Sequence, residues 1–287
     1  MFNFLKKSKE EKLIQNKKIK LGLALGGGGF RGIGHIGVIK AFDELGISFD
    51  YVAGTSVGSM VGALYSFGLS GKEMEELIKT MRKKDFMSGG IPFVKPIKAE
   101  KIENLLNSVF GDITVFSELK KPFTVVCTDL KSGKEIDFNY GDVAKAVSAS
   151  CAVPGLFSPV KYENMHLVDG GVRNNVPVDV VKQMGANVVF AVDVNHLRGT
   201  GTVSLSTTSV LSQVIGIMMQ SKVDKSLEQA DLIFKPSLEQ FSPLKLEDVD
   251  EMIEIGYNTV MRNKDKIFKM LSINPNKIGK VFKKYEG

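Results

Sequence analysis

IKLGLALGGGGFRGIGHIGVIKAFDELGISFDYVAGTSVG, residues 19–58, decides the fold. Residues 19–25 are a short apolar run that meets four glycines, which predicts a buried strand ending in a tight turn. From Arg31 to Leu45, Ile33, Ile36, Gly37, Ile39, Ala41 and Phe42 recur at helical spacing until Gly46 stops the run. The pattern then repeats, with a strand around 51–53, a turn from Gly54 to Ser56, and a helix from Val57 to about Phe67. Two strand-turn-helix units in succession imply parallel strands joined by right-handed crossovers, hence an α/β fold.

Working outward, the same grammar continues. A helix is predicted at 72–83, then DFMSGGIPFVKPIK (85–98), whose Gly and Pro mark a loop and a candidate lid over a site. A helix at 99–110 leads to the β-branched strand in PFTVVCTDL, a hairpin through Lys131-Ser132-Gly133-Lys134 and the strand EIDFN. A helix follows at 141–150, then the short strand in HLVDGG, a helix opened by Pro177 and stopped by Gly185, and the buried strand ANVVFAVDV. The last third alternates a helix at 208–228, the strand DLIFKP and a helix at 247–270. The helix over 208–223 is expected to pack in the core, the alternative being an acyl groove. A length of 287 residues is consistent with one domain of this class, so residues 1–18 read as a basic extension and 19–287 as a single α/β unit.

Composition excludes several classes of function. With 43% hydrophobic and 24% charged residues, the chain is ordinary globular material. No stretch approaches the run of about 20 apolar residues that crosses a bilayer, and the N-terminus lacks the apolar core of a secretory signal. Two cysteines, Cys127 and Cys151, sit in apolar runs, which suits a reducing compartment and small buried side chains. A cytoplasmic location is the expectation. Residues 1–20 carry seven Lys against two Glu, and residues 277–287 four Lys against one Glu, so the formal charge of +6 resides in the ends. The body between them is slightly acidic and offers nucleic acid no basic groove. Basic ends beside Phe2, Phe4, Leu5 and Phe282 suit a solvated tail, or peripheral contact with the anionic inner face of a membrane.

Three elements carry chemistry. Gly54-Thr55-Ser56-Val57-Gly58 is a G-x-S-x-G set between strand and helix, the setting of a nucleophile elbow; the rival reading is a plain helix N-cap at Ser56. Gly26 to Gly29, followed by Phe30-Arg31-Gly32, exposes successive N–H groups at a helix start, a concavity for a phosphate or an oxyanion. Gly27-x-Gly29-x-x-Gly32 also matches a dinucleotide fingerprint, but the ribose-binding acid expected after the second strand is replaced by Gly54-Thr55-Ser56. Asp169-Gly170-Gly171 places a carboxylate at a strand end, where it serves either as a base or as a turn former. Asp129 is a second acid near a strand end, read as a cap for its own hairpin. The three histidines, His35, His166 and His196, are scattered, and no Cys pair stands with them, so no metal site is expected. Ser56, Asp169 and His196 do fall in α/β-hydrolase chain order, which keeps a triad open.

Together LALGGGGFRGIGHIGVIKAF, VAGTSVGSMVGALY, VVCTDLKSGKEIDF, AVSASCAVPGLFSPV and HLVDGGVRNNVPV resemble, in order, the blocks of bacterial patatin-like phospholipases, over about residues 20–185. The resemblance implies a three-layer α/β/α fold with a mainly parallel central sheet, and a cofactor-free Ser-Asp dyad that hydrolyses acyl esters of glycerolipids. By position, Ser56 is the nucleophile and Asp169 the general base. The N–H groups of Gly27, Gly28 and Gly29 form the oxyanion hole, with Arg31 beside it and Gly32, Gly54, Gly58, Gly170 and Gly171 in support. The alternative is a catalytically silent adaptor of the same fold that binds lipid or a partner.

Overall fold

The computed structural model of the chain describes residues 19–85 (backbone alone at 81–85), 100–111, 115–196 and 222–272, together with residues 210, 214, 217 and 220. The basic termini and nearly all of the expected lid at 85–98 lie outside the described residues. Among these residues one eight-stranded sheet forms: β1 (Leu21–Leu25), β2 (Tyr51–Thr55), β3 (Phe123–Asp129), β4 (Glu135–Phe138), β5 (Val160–Tyr162), β6 (Met165–Asp169), β7 (Val188–Val192) and β8 (Leu232–Phe234). The pairing path runs β5-β6-β3-β2-β1-β7-β8, with β4 joined to β3 off that path. The run β3-β2-β1-β7-β8 is parallel, while β4, β5 and β6 pair antiparallel. β5 was not expected, because a three-residue strand, Val-Lys-Tyr, carries too little alternation to be seen.

Helices cover both faces, giving the α/β/α layers. Along β1, Leu21, Leu23 and Leu25 enter one core and Ala24 the other; along β7, Phe190 and Val192 separate from Val189 and Ala191 in the same way. The large-residue face packs under helix α1 (Gly34–Glu44), where Phe42, Phe49, Phe190 and Phe234 contact one another at ring-centroid separations of 4.9–6.0 Å. The small-residue face admits helix α6 (Val178–Gln183) at close range: a Cβ on Gly22 would lie 2.1 Å from Val181 Cγ1.

Further helices are α2 (Val57–Phe67), α3 (Gly71–Asp85), α4 (Glu100–Phe110), α5 (Val143–Ser150), α7 (Val249–Met261) and α8 (Lys264–Met270), and residues 222–227 are helical as well. The helix expected over 247–270 thus divides in two. The Asn263 amide donates to the Thr259 carbonyl at 2.9 Å, and its backbone N–H to Val260 at 2.8 Å, so side-chain and three-residue bonds replace the α ladder there. Most of the helix expected at 208–223 lies outside the described residues. Val210, Val214 and Ile217 within it are exposed, so core packing does not hold at those positions.

One feature of the sheet positions everything that follows. Val125 and Val126 of β3 pair with β2 on one edge and β4 on the other, while Cys127 and Thr128 pair with β4 and β6. β2 and β6 therefore occupy the same edge of β3, one beyond the other. β2 ends with Thr55 opposite Val126, and β6, running the other way, ends with Asp169 opposite Cys127. The two strands meet end to end, and the residues at their tips are brought together.

Candidate active site

The chain leaves β2 and enters α2 within one residue. Ser56 makes that turn with φ 53° and ψ −130°, a conformation that costs a non-glycine residue about 1–3 kcal/mol and persists only where its surroundings impose it. The flanking glycines permit it. A Cβ on Gly54 would lie 2.5 Å from the Gly58 carbonyl oxygen, and one on Gly58 would lie 2.2 Å from that of Leu25. Gly32 accommodates Val57 in the same manner, at 2.2 Å. Ser56 is therefore more than an N-cap, and its side chain makes no capping bond to α2.

Asp169 stands at the opposing strand tip, buried. Its backbone N–H donates to the Ala152 carbonyl at 3.0 Å, and one carboxylate oxygen accepts from the Gly171 N–H at 2.8 Å. Gly170 packs where a Cβ would be 2.1 Å from the Val126 carbonyl oxygen. The Ser56 side chain is brought against the Asp169 carboxylate and interacts with it. Burial raises the Asp169 pKa from 3.8 to about 6, while the bonds from Ser56 and Gly171 pull it down. The thiol of Cys151 is buried near Ser56 and Ser59, and burial pushes its pKa up, then the charge of Asp169.

The glycine loop lies alongside. A Cβ on Gly27 would be 3.0 Å from Ser56 Cβ and 2.6 Å from Asn175 Oδ1. The loop is pinned at several points. Gly26 N–H donates to Val192 at 3.0 Å, Gly27 N–H to the Asn175 carbonyl at 3.1 Å, and the Asn175 amide returns a bond to the Gly27 carbonyl at 3.3 Å. His35 Nε2 bonds the Gly26 carbonyl at 2.8 Å. Burial lowers the His35 pKa to about 4, so the ring is neutral at pH 7 and Nε2, facing an acceptor, carries its proton. The Gly28 and Gly29 N–H groups donate to nothing among the described residues. Of the three N–H groups expected to act together, that of Gly27 is engaged by the Asn175 carbonyl, whereas those of Gly28 and Gly29 are not engaged among the described residues.

Arg31 is also placed differently from the expectation of a guanidinium beside the hole. Nε donates to the Phe241 carbonyl at 2.9 Å, Nη1 to Asn195 Oδ1 at 3.0 Å and Nη2 to the Glu239 carbonyl at 3.1 Å. Phe30 N–H donates to the Pro243 carbonyl at 3.0 Å, and Gly29, at φ +58°, would place a Cβ 2.1 Å from that oxygen. Arg31 therefore braces the glycine loop against residues 239–243.

The histidines stand apart from the pair. His166 is exposed, and His196 Nε2 lies 3.0 Å from Glu239 Oε1. Asp129 caps its hairpin, accepting from Ser132 N–H and Oγ at 3.0 and 2.7 Å and from His166 N–H at 3.2 Å, bonds that hold its pKa down at about 2. Cys127 is fully buried. Sequence reasoning missed Ser150, Asn175 and the 239–243 segment. Ser150 and Asn175 were quoted in the AVSASCAVPGLFSPV and VRNNVPV blocks, whereas nothing in residues 239–243 distinguishes them from a surface loop.

Residues 23–182 match the patatin-like phospholipase family, and the chain belongs to it. An uncharacterized NTE family protein of Mycobacterium tuberculosis is 32% identical over 179 residues, covering 61% of this chain and 49% of that protein. Lysophospholipase nte1 of Aspergillus fumigatus is 30% identical over 273 residues, 83% of this chain and 18% of that protein. The chain thus spans about half the length of the mycobacterial relative and under a fifth of the fungal one. Among solved structures, VipD from Legionella pneumophila superposes with a TM-score of 0.52 at 14% identity, over 86% of this chain and 66% of that one, a likeness of fold. Among the described residues no helix is long and apolar enough to cross a membrane.

Proposed function

We propose that the chain is a serine lipid-acyl hydrolase that cleaves fatty-acyl esters of glycerolipids, with Ser56 as nucleophile and Asp169 as general base. The observation that carries this reading is the meeting of two strand tips, which brings Ser56, on a strained turn, against the buried carboxylate of Asp169, whose pKa burial raises to about 6. A carboxylate with the ordinary pKa near 3.8 is a weak base. Raised to about 6, it is a stronger one and is still mostly ionised at pH 7.

In the proposed reaction Ser56 Oγ attacks the ester carbonyl carbon as its proton passes to Asp169. The carbonyl oxygen becomes an oxyanion, stabilised by the Gly28 and Gly29 N–H groups. The intermediate collapses, the alkoxide of the glycerolipid leaves with the proton from Asp169, and Ser56 is acylated. Water, deprotonated by Asp169, then releases the fatty acid and restores Ser56. The family, and relatives named as lysophospholipases, support a lipid ester as substrate.

The test is hydrolysis of a short-chain p-nitrophenyl ester and labelling by a fluorophosphonate. Wild type should turn over the ester and be labelled at Ser56; Ser56→Ala should be unlabelled and slower by at least about 10³-fold. A folded wild type that neither hydrolyses nor labels would discard the enzyme in favour of a silent lipid- or partner-binding protein.

A further inference from the structure

The strained turn at Ser56 needs a cause on its amino side. Its carbonyl is held by α2, accepting from the backbone N–H groups of Ser59 and Met60 at 2.8 and 3.2 Å and from Ser59 Oγ at 2.6 Å. Its own N–H has one partner, the hydroxyl of Ser150, at 2.8 Å. Ser150 Oγ in turn donates its single proton to the Val126 carbonyl at 2.6 Å. The direction of both bonds is therefore fixed: Ser56 N–H to Ser150 O–H to Val126 C=O. Because φ is the rotation about N–Cα, fixing the N–H on one side and the carbonyl on the other leaves Ser56 little freedom to leave φ 53°. Val126 is the residue of β3 that pairs with Thr55 and precedes the partner of Asp169, so the relay ends at the junction of the two strand tips.

The neighbours of Ser150 serve the same junction. The Cys151 thiol lies near Ser56 and Ser59, and the Ala152 carbonyl accepts the backbone N–H of Asp169. Three consecutive residues at the end of α5 thus touch both members of the pair, and Ser150 alone among them holds the peptide group that sets the torsion of the nucleophile. A further consequence is that the Ser56 N–H is consumed and does not join Gly28 and Gly29 in receiving an oxyanion.

We infer that Ser150 is a positioning residue that holds Ser56 in its strained conformation and keeps its Oγ aimed at Asp169. The inference deepens the proposed function, and its first readout does not depend on that function. In a crystal structure of Ser150→Ala, Ser56 should relax out of the positive-φ region and its Oγ should part from Asp169. If Ser56 keeps φ near 53° with its hydroxyl still on Asp169, the inference is overturned whether or not the protein is an enzyme.

The second readout is kinetic. Given ester hydrolysis by wild type, Ser150→Ala should lose about 10- to 100-fold in kcat and in the rate of fluorophosphonate labelling, with KM within about twofold, since misplacement of a reacting atom by an ångström costs that much. Ser66→Ala is the control, because Ser66 is as fully buried and its hydroxyl has no hydrogen-bond partner among the described residues; it should leave kcat unchanged. Equal kcat for Ser150→Ala and wild type, with only a lowered Tm, would assign Ser150 a purely structural role and sink the proposal.

Discussion

The Ser56–Asp169 pair and the glycine loop lie side by side, yet they are held in unlike ways. Ser56 and Asp169 are set by backbone close approaches and by bonds to Ser150 and Ala152, all within the residues that match the family. The glycine loop is braced largely from outside that span, by Asn195, Glu239, Phe241 and Pro243, some 164 to 210 residues away from Arg31 where side chains make the contact. The difference teaches that the residues matching the family hold the Ser56–Asp169 pair, while the placement of the Gly28 and Gly29 N–H groups proposed to receive an oxyanion depends on a part of the chain that carries no motif.

The sharpest way to break this division is to strike the pair and read activity and stability together. Asp169→Asn keeps the shape of the side chain and removes the base, and should lower kcat/KM by about 10³- to 10⁴-fold. In wild type, kcat/KM should rise with pH through about 6 as Asp169 ionises. Stability should move the other way. A carboxyl whose folded pKa is raised from 3.8 to about 6 contributes stability below about 3.8 that is lost as pH rises to about 6, because the fold then holds an ionised, desolvated group. At 1.36 kcal/mol per pKa unit that loss is on the order of 2–3 kcal/mol.

Asp169→Asn is therefore expected to melt higher than wild type at pH 8, with the advantage shrinking at pH 5. His35, on α1 against the glycine loop, works with opposite sign. Its pKa is lowered from 6.5 to about 4, so its contribution is present above about 6.5 and lost as pH falls towards 4. The melting temperature of wild type alone mixes the two, and the difference between wild type and variant isolates Asp169. A difference of equal size at pH 5 and pH 8 would refute the raised carboxyl.

On the other side of the comparison, Arg31→Gln removes a guanidinium that holds three acceptors on two distant segments. The nucleophile and base are untouched. Loss of the brace should displace Gly28 and Gly29 and lower kcat by about 10- to 100-fold with little change in KM, because the oxyanion is met only in the transition state. Guanidinium ion added to an Arg31→Ala variant should restore part of the rate. If KM rises and kcat holds, Arg31 contacts substrate in the ground state and the brace is the wrong description.

How far the sequence carried the reading follows from the same division. The strand-turn-helix repeat of residues 19–58 was legible because glycine spacing and apolar periodicity act locally, and the structure has that order, with β2 running on through Gly54 and Thr55. An Asp at a strand end could be read as lying beside the first two turns, but the pairing of Ser56 with Asp169 was implied by the resemblance, since it rests on β2 and β6 sharing an edge of β3, a non-local pairing that no local pattern reports. The engagement of the Gly27 N–H by Asn175 was invisible for the same reason. Residues 239–243 could not have been picked out, because they contribute backbone carbonyls, which every residue has.

The smallest effect belongs to His196, and it tests whether the brace extends further. The chain order that left a triad open sets Ser56, Asp169 and His196 in sequence, but the ring of His196 lies against Glu239. His196→Ala should change kcat by less than about threefold, against the 10³-fold or more that losing a triad histidine costs. The melting temperature should fall, because a partly buried carboxylate loses a partner. The carbonyl of Glu239 accepts from Arg31, so the informative measurement is the double variant. If His196 only satisfies the Glu239 side chain, its effect on kcat and that of Arg31→Gln should add within about 0.5 kcal/mol. A larger coupling would make His196, Glu239 and Arg31 one support for the glycine loop, and would move the boundary between the two regions from Arg31 to the end of β7.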